Sequence, residues 1–334
     1  MGILGSVYHK PAAWLGFQKR YNFPLFVIFA GAMLGFSLAR LEYLSSGKYA
    51  SGSSPGEWYW QRAGHYRVGL VMHLACILPA GLLMVWQFVP VIRHKAILFH
   101  RINGYTIIVL ILFSHAGALM ITRRAFGGDL SIQAGMGVLV IISTIAVAMA
   151  VYNIKKLQID QHRAWMLRAM FYMGTIITLR VIMIIAAQII TAIQSYYTTM
   201  TCGEIGYLQR NDIGYFESTY PECIGADARH HVVVHADFAG GNTEEIGASL
   251  RVSFGMALWM ALLLHAVGVE IYLRLTPRES ERLRQVSYER QLEAGSTAPG
   301  SAGLVVERFG DADAWRPASA GERGGDGDGN KMSR

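Results

Sequence analysis

His73, His100, His115 and His162 fall in or beside apolar runs that offer them little solvent. His73 and His115 lie some six or seven residues inside two successive runs, so both sit roughly 10 Å below one boundary at about 1.5 Å rise per residue. Two imidazoles at a shared depth suit axial ligation of one haem iron, or binding of one metal ion. They equally suit a polar contact between packed helices. Consecutive hairpin helices are neighbours, about 8–10 Å apart, whereas a haem held by two imidazoles needs helices facing each other across a bundle. The second pair, His100-Arg101 and His162-Arg163, suits a second haem or an anionic head group. The alternative is binding of lipid phosphates that fixes topology. Arg168 follows Arg163 by five residues, past an interfacial Trp165.

Arg180 is the residue hardest to place without a function. It lies near the middle of an apolar run, about 15 Å from the nearer edge, too far to reach water comfortably. A charge at that depth costs at least about 2.5 kcal/mol and needs compensation. The candidate partners are Glu270, a haem propionate and an anionic substrate. The competing reading is a structural ion pair. His265 and Glu270 are five residues apart, hence on different helix faces. Gln87 and Gln188 suit interhelical hydrogen bonds.

Many soluble-enzyme signatures are absent. The sequence has no phosphate-binding glycine loop, no His-Glu-x-x-His, no nucleophile elbow, no Cys-x-x-Cys and no Asn-x-Ser/Thr. It also lacks an acidic motif of the kind that holds magnesium diphosphate.

The elements that must position these residues are membrane spans. Of 334 residues, 52% are hydrophobic and only 16% charged, against about a quarter charged in soluble domains. About 20 apolar residues cross a bilayer as a helix. The sequence predicts six such spans, near 23–39, 68–92, 105–122, 132–152, 170–193 and 252–273. The fold class expected is therefore an all-α integral membrane bundle of about six helices. Three regions follow: a cytosolic N-terminal segment (1–22), a six-span domain (23–275) with an outer loop at 196–250, and a disordered cytosolic tail (276–334). The first span is expected to act as an uncleaved signal anchor. Trp58, Tyr59 and Trp60 have the composition of an interfacial aromatic anchor.

Lys and Arg cluster in the N-terminal segment, in the 2–3 and 4–5 connections and after span 6. With six spans these share one side, which the positive-inside rule makes cytosolic. Arg40, Lys48, Arg62 and Arg67 crowd the first loop on the other side. The net charge of +7 thus flanks membrane spans and is not a nucleic-acid footprint. Cys202 and Cys223 share the long loop on the non-cytosolic side, where disulfides persist, so a bridge is expected between them. Cys76 in span 2 reads as packing.

The segments IRHKAILFHR (92–101) and IKKLQIDQHR (154–163) share Ile, basic residues and a closing His-Arg. Each links a descending span to an ascending one. Spans 2–3 and 4–5 are thus expected to form two parallel hairpin repeats, which would bring both His-Arg pairs near one site.

Five features occur in order: His73; Gln87-Phe88; His100-Arg101-x-x-Gly104-Tyr105; His162-Arg163-x-Trp165-Met166-x-Arg168; and Arg180. Over about residues 65–195 the chain resembles the membrane-protein family called domain of unknown function 2306. That resemblance implies a fold type and no reaction. The histidine spacing is also loosely similar to six-helix cytochromes b that use ascorbate, in which four histidines hold two haems. Here span 4 has no histidine and His115 sits in span 3 instead.

Three functions are consistent with these residues. One is a haem b membrane oxidoreductase or electron carrier, with His73, His115, His100 and His162 as ligands and Arg101, Arg163, Arg168 or Arg180 near propionates. Another is a haem-free isomerase or cyclase acting on a lipophilic natural product or lipid, with Arg180, His73 and His115 stabilising charge or moving protons. The last is a transporter or scaffold. Membrane lipids are the expected surroundings, a lipophilic small molecule the expected ligand. The tail and long loop give the chain a fungal character.

Overall fold

The computed structural model describes residues 11–17, 19 and 21–317. Most of the expected N-terminal segment (1–10, 18, 20) and the end of the expected tail (318–334) lie outside the described residues. The chain is an all-α multi-pass membrane protein. Six helices are long and apolar enough to cross a bilayer: α1 (Asn22–Arg40), α4 (Gly64–Gln87), α6 (Ile97–Thr122), α7 (Leu130–Lys155), α8 (Ile159–Ile193) and α11 (Thr243–Arg274). Short helices α2 (Ser46–Gly52) and α3 (Glu57–Gln61) lie between α1 and α4, and α5 (Pro90–Lys95) precedes α6. Side chains such as Ile184, Ile185 and Ile189 on α8 are exposed. With lipid as the solvent, an exposed apolar face carries no penalty.

Three helices begin well before hydropathy suggests; the third span, expected from 105, starts at Ile97. The fifth span, expected from 170, starts at Ile159; the sixth, expected from 252, starts at Thr243. His162, Arg163 and Arg168 interrupt the apolar pattern but leave backbone hydrogen bonding intact, so the helix extends past the lipid-compatible stretch.

The chain divides into two compact units: Met1–Ile141 with Met173–Leu264, and Ile142–Tyr172 with His265–Arg334. In the first unit, α4 and α6 pack at backbone distance. A Cβ on Gly117 would stand 2.6 Å from the Gly69 carbonyl oxygen and 2.7 Å from the His73 nitrogen. Small residues at such crossings allow the dispersion contacts on which helix association in lipid depends. Asn103 donates to the Leu83 carbonyl across the same pair at 3.0 Å. A second core joins Ile132, Leu179, Met183, Phe254, Ala257 and Leu258 of α7, α8 and α11.

The connection expected as a long outer loop is a folded cap. Strands β1 (Tyr197–Thr201) and β2 (His231–His235) pair antiparallel, with Thr199 opposite Val233. Helices α9 (Cys202–Leu208) and α10 (Ile213–Thr219) follow β1. Thr201 and Asp212 cap them, accepting from the Glu204 and Tyr215 amides, as N-cap side chains do. Cys202 and Cys223 form the expected disulfide.

The expectation of a disordered tail from 276 is corrected for residues 277–317. Helix α12 (Pro277–Glu293) follows α11, and the second unit is ordered through residue 317. The reason is polar satisfaction. Gln291 and Gln158 are fully buried and hydrogen-bond each other at 3.0 Å. Gln291 also accepts from the Gly300 amide at 2.7 Å, and Asn153 accepts from the Leu304 amide at 2.9 Å. The Gly, Ser and Ala richness that resembles a linker here lets backbone approach these amides: a Cβ on Gly303 would stand 2.5 Å from Asn153 Oδ1.

Candidate functional site

Arg180 sits on α8 within the first unit. Its guanidinium carbon lies 4.8 Å from the ring centre of Phe126 and 5.6 Å from that of Phe254. The two rings stack, with centroids 4.1 Å apart. Phe126 holds this position in a left-handed conformation, φ +50°, which costs a bulky residue roughly 1–2 kcal/mol. Strain of this kind persists where the surroundings over-determine the residue, and it clusters at functional sites. The Phe126 amide donates to Glu57 Oε1 at 2.8 Å. That bond ties the connection between α6 and α7 to helix α3.

Glu57 is buried, 2% exposed. Its second oxygen, Oε2, accepts from Gln61 Nε2 at 2.9 Å, and the Gln61 carbonyl oxygen accepts from the Tyr49 hydroxyl. Burial pushes the Glu57 carboxyl up to about 7; Arg251, the Phe126 amide and Arg180 pull it back towards ionisation, and Glu204 opposes them. Burial likewise raises Tyr49, which stays a neutral hydroxyl. Beneath this layer Glu204 and Arg251 form a buried ion pair. Gly56, at φ +88°, lies directly against it.

The electrostatic neighbours of Arg180 are Arg40, Glu57, Tyr49 and Tyr43. No carboxylate of the described residues forms an ion pair with it. Arg180 is partly accessible rather than sealed. The arrangement is a guanidinium lying against a pair of stacked phenylalanine rings, with a carboxyl that burial pushes up to about 7 as an electrostatic neighbour. It can hold a developing oxyanion and exchange a proton.

Glu270 is not the partner of Arg180, contrary to one expectation. In the second unit it receives both prongs of Arg168, from Nε at 2.6 Å and Nη2 at 3.0 Å. Arg168 also stacks over Trp165 at 4.6 Å. Arg163 donates to Thr276 Oγ1 at 3.2 Å. His162 Nδ1 donates to the Ala150 carbonyl at 2.9 Å. His100 and Arg101 belong to the first unit, where the His100 carbonyl accepts from Gln87 at 3.1 Å and Arg101 is exposed.

His73 and His115 are near each other, as their shared depth implies. His73 Nδ1 lies 2.9 Å from Ser114 Oγ and 3.1 Å from the Ser114 carbonyl oxygen. The two histidines stand on α4 and α6, which pack directly against each other. Helices brought to backbone distance at Gly69 and Gly117 leave no width for a macrocycle between them. Among the described residues, no group of three or more His, Cys, Asp or Glu side chains is placed to hold a metal ion.

Glu57, Tyr49, Tyr43, Gln61 and Arg40 were not legible as site residues. The only signal was their crowding, with Arg67 and three aromatics, into one short loop.

Residues 70–206 match the family described as predicted membrane protein, DUF2306. The matched stretch contains His73, His100, His162, Arg168 and Arg180; Glu57 and Tyr49 lie before it. The chain is also 28% identical over 308 residues to the Ava biosynthesis cluster protein G of Aspergillus versicolor, covering 78% of this chain and 90% of that protein. No solved structure matches.

Proposed function

We propose that the protein is a haem-free membrane enzyme that isomerises or cyclises a lipophilic biosynthetic intermediate. The observation that carries this reading is Arg180: a guanidinium on an apolar helix that lies against the stacked rings of Phe126 and Phe254, has Glu57 as an electrostatic neighbour, and forms no ion pair with a carboxylate of the described residues. A charge held so deep in an apolar bundle is a functional marker. A substrate oxygen gaining negative charge is held by the Arg180 N–H groups. The proton that leaves the substrate passes to the Glu57 carboxylate and returns to the product, so no oxidant is needed. A carboxyl with a pKa near the working pH suits both transfers. The biosynthetic-cluster name of the relative from Aspergillus versicolor supports a small-molecule substrate. The distribution of Lys and Arg supports cytosolic termini, with the disulfide-bonded cap on the opposite side.

The test is deletion of the gene in its host, complemented with the wild type or Arg180→Lys, followed by metabolite profiling. Deletion should accumulate a precursor, and Arg180→Lys should lower product formation about 10²–10³-fold, the loss typical of an oxyanion donor. Unchanged metabolites on deletion would overturn the reading, as would a Soret band in the purified protein. An unaltered melting curve for Arg180→Lys separates lost chemistry from lost folding.

A further inference from the structure

The Arg180 cluster borders a cleft that the chemistry above does not use. Tyr43 and Tyr49 form one side of it, and both are electrostatic neighbours of Arg180. Leu44, Leu70, Val71 and Leu74 make the apolar wall, and Arg67 stands at the edge. Leu70 and Leu74 are one helical turn apart on α4, so with Val71 they form a continuous strip. Val71 is 54% exposed, an apolar side chain that a bilayer accommodates without cost.

The cationic end is built and held. Arg67 Nη2 donates to Ser46 Oγ at 3.0 Å, and its guanidinium lies 5.4 Å from the Trp58 ring. Arg40, behind Tyr43, donates to the Tyr43 hydroxyl at 2.6 Å and lies 4.8 Å from that ring. Neither forms an ion pair with a carboxylate of the described residues, unlike Arg168, Arg251 and Arg284. The nearest acid in the cluster, Glu57, has both oxygens engaged. Glu42 is exposed and unpaired among the described residues. The cleft is therefore net positive at one end and apolar along one wall. Its free interior of about 30 Å³ is roughly two to three times the minimum for one water. That admits a head group of a few heavy atoms.

We propose that this cleft binds the anionic head of a single-chain amphiphile, a carboxylate or a phosphate, at Arg67 with Arg40 behind it, the alkyl chain lying along Leu70, Val71 and Leu74. Guanidinium groups favour such oxyanions because they donate two parallel hydrogen bonds. The chain reaches the strip sideways from the bilayer, and the head group comes to rest beside Tyr43 and Tyr49. The binding site stands on its own geometry and does not rest on the Arg180 reading.

The experiment uses the full chain in phosphatidylcholine nanodiscs with a diazirine-bearing palmitic acid and its methyl ester. After irradiation, mass spectrometry should find the acid attached within residues 67–74, with the ester at least about tenfold weaker, as loss of charge-assisted hydrogen bonds implies. Arg67→Ala should lower labelling to a similar degree. Val71→Trp, which leaves every charge in place and fills the strip, should also abolish it. Equal labelling by acid and ester, or labelling unaffected by both substitutions, would overturn the proposal. Competition identifies the source: displacement at lower concentrations of lysophosphatidic acid than of palmitate marks a lipid phosphate, and the reverse order a free carboxylate. Cross-linking reads binding whether or not the protein turns over. A negative result here leaves the Arg180 reading standing, and a positive one does not establish it.

Discussion

Arg168 on α8 and Glu270 on α11 form a two-pronged ion pair, with both guanidinium N–H donors facing both carboxylate oxygens. The geometry is good, but Glu270 is 47% exposed, so solvent discounts the pair. We expect Arg168→Ala and Glu270→Ala to be non-additive, with a coupling of about 1 kcal/mol in a double-mutant cycle. Thermal unfolding in detergent measures it; strictly additive losses would show that the pair holds nothing together.

Glu57 predicts a pH dependence. Its carboxyl is raised from 4.5 to about 7 in the folded protein, so between those values the fold binds more protons than the unfolded chain. Stability from this group is therefore greatest at low pH. It falls as pH rises through that window, by about 3 kcal/mol in all, and is level above it. Glu57→Gln should remove this slope and melt above wild type at pH 8. Rotation of the Gln61 amide satisfies the new side chain. Identical pH profiles for the two proteins would contradict a raised carboxyl.

Gly56 is expected to tolerate no side chain. Its φ is +88°, and a Cβ there would stand 2.6 Å from Arg251 Nη2 and closer still to Glu204. Gly56→Ala should cost about 2 kcal/mol or more, from the left-handed backbone and the displaced buried pair. Gly47→Ala, with nothing within 4 Å, is the control in the same melting assay and should change little.

The ordered tail makes Gln291 a key to the second unit. Its amide bonds the Lys156 carbonyl, Gln158 and the Gly300 amide. Gln291→Ala removes its bonds to the Lys156 carbonyl and the Gly300 amide, while Gln158 keeps the bond from the Gly303 amide, at about 1–3 kcal/mol for each group left unsatisfied. Limited proteolysis should then cut within residues 294–317, which wild type protects. Equal protection in both would place the holding force elsewhere.

The reach of the sequence differed between elements. Six spans, the Cys202–Cys223 bridge and the singular position of Arg180 were readable, because lipid demands long apolar helices and makes an embedded charge costly. The partner of Glu270 was not readable. Arg168 and Arg180 lie on α8 about 18 Å apart along its axis, and the level and rotation at which α11 presents Glu270 decide which one it meets. Nor was the tail readable, since the same Gly-rich composition serves a linker or a backbone packed closely on Gln158 and Asn153.

The site shows the same division. Sequence alone determined that Arg180 lies deep in an apolar segment, because hydropathy is a local property that sums along the chain. Only the tertiary structure decided what surrounds it. Glu57 and Tyr49 come to Arg180 from the α1–α4 connection and Phe126 from the α6–α7 connection, and contacts between residues distant in sequence depend on how helices pack and turn, which no window of residues encodes.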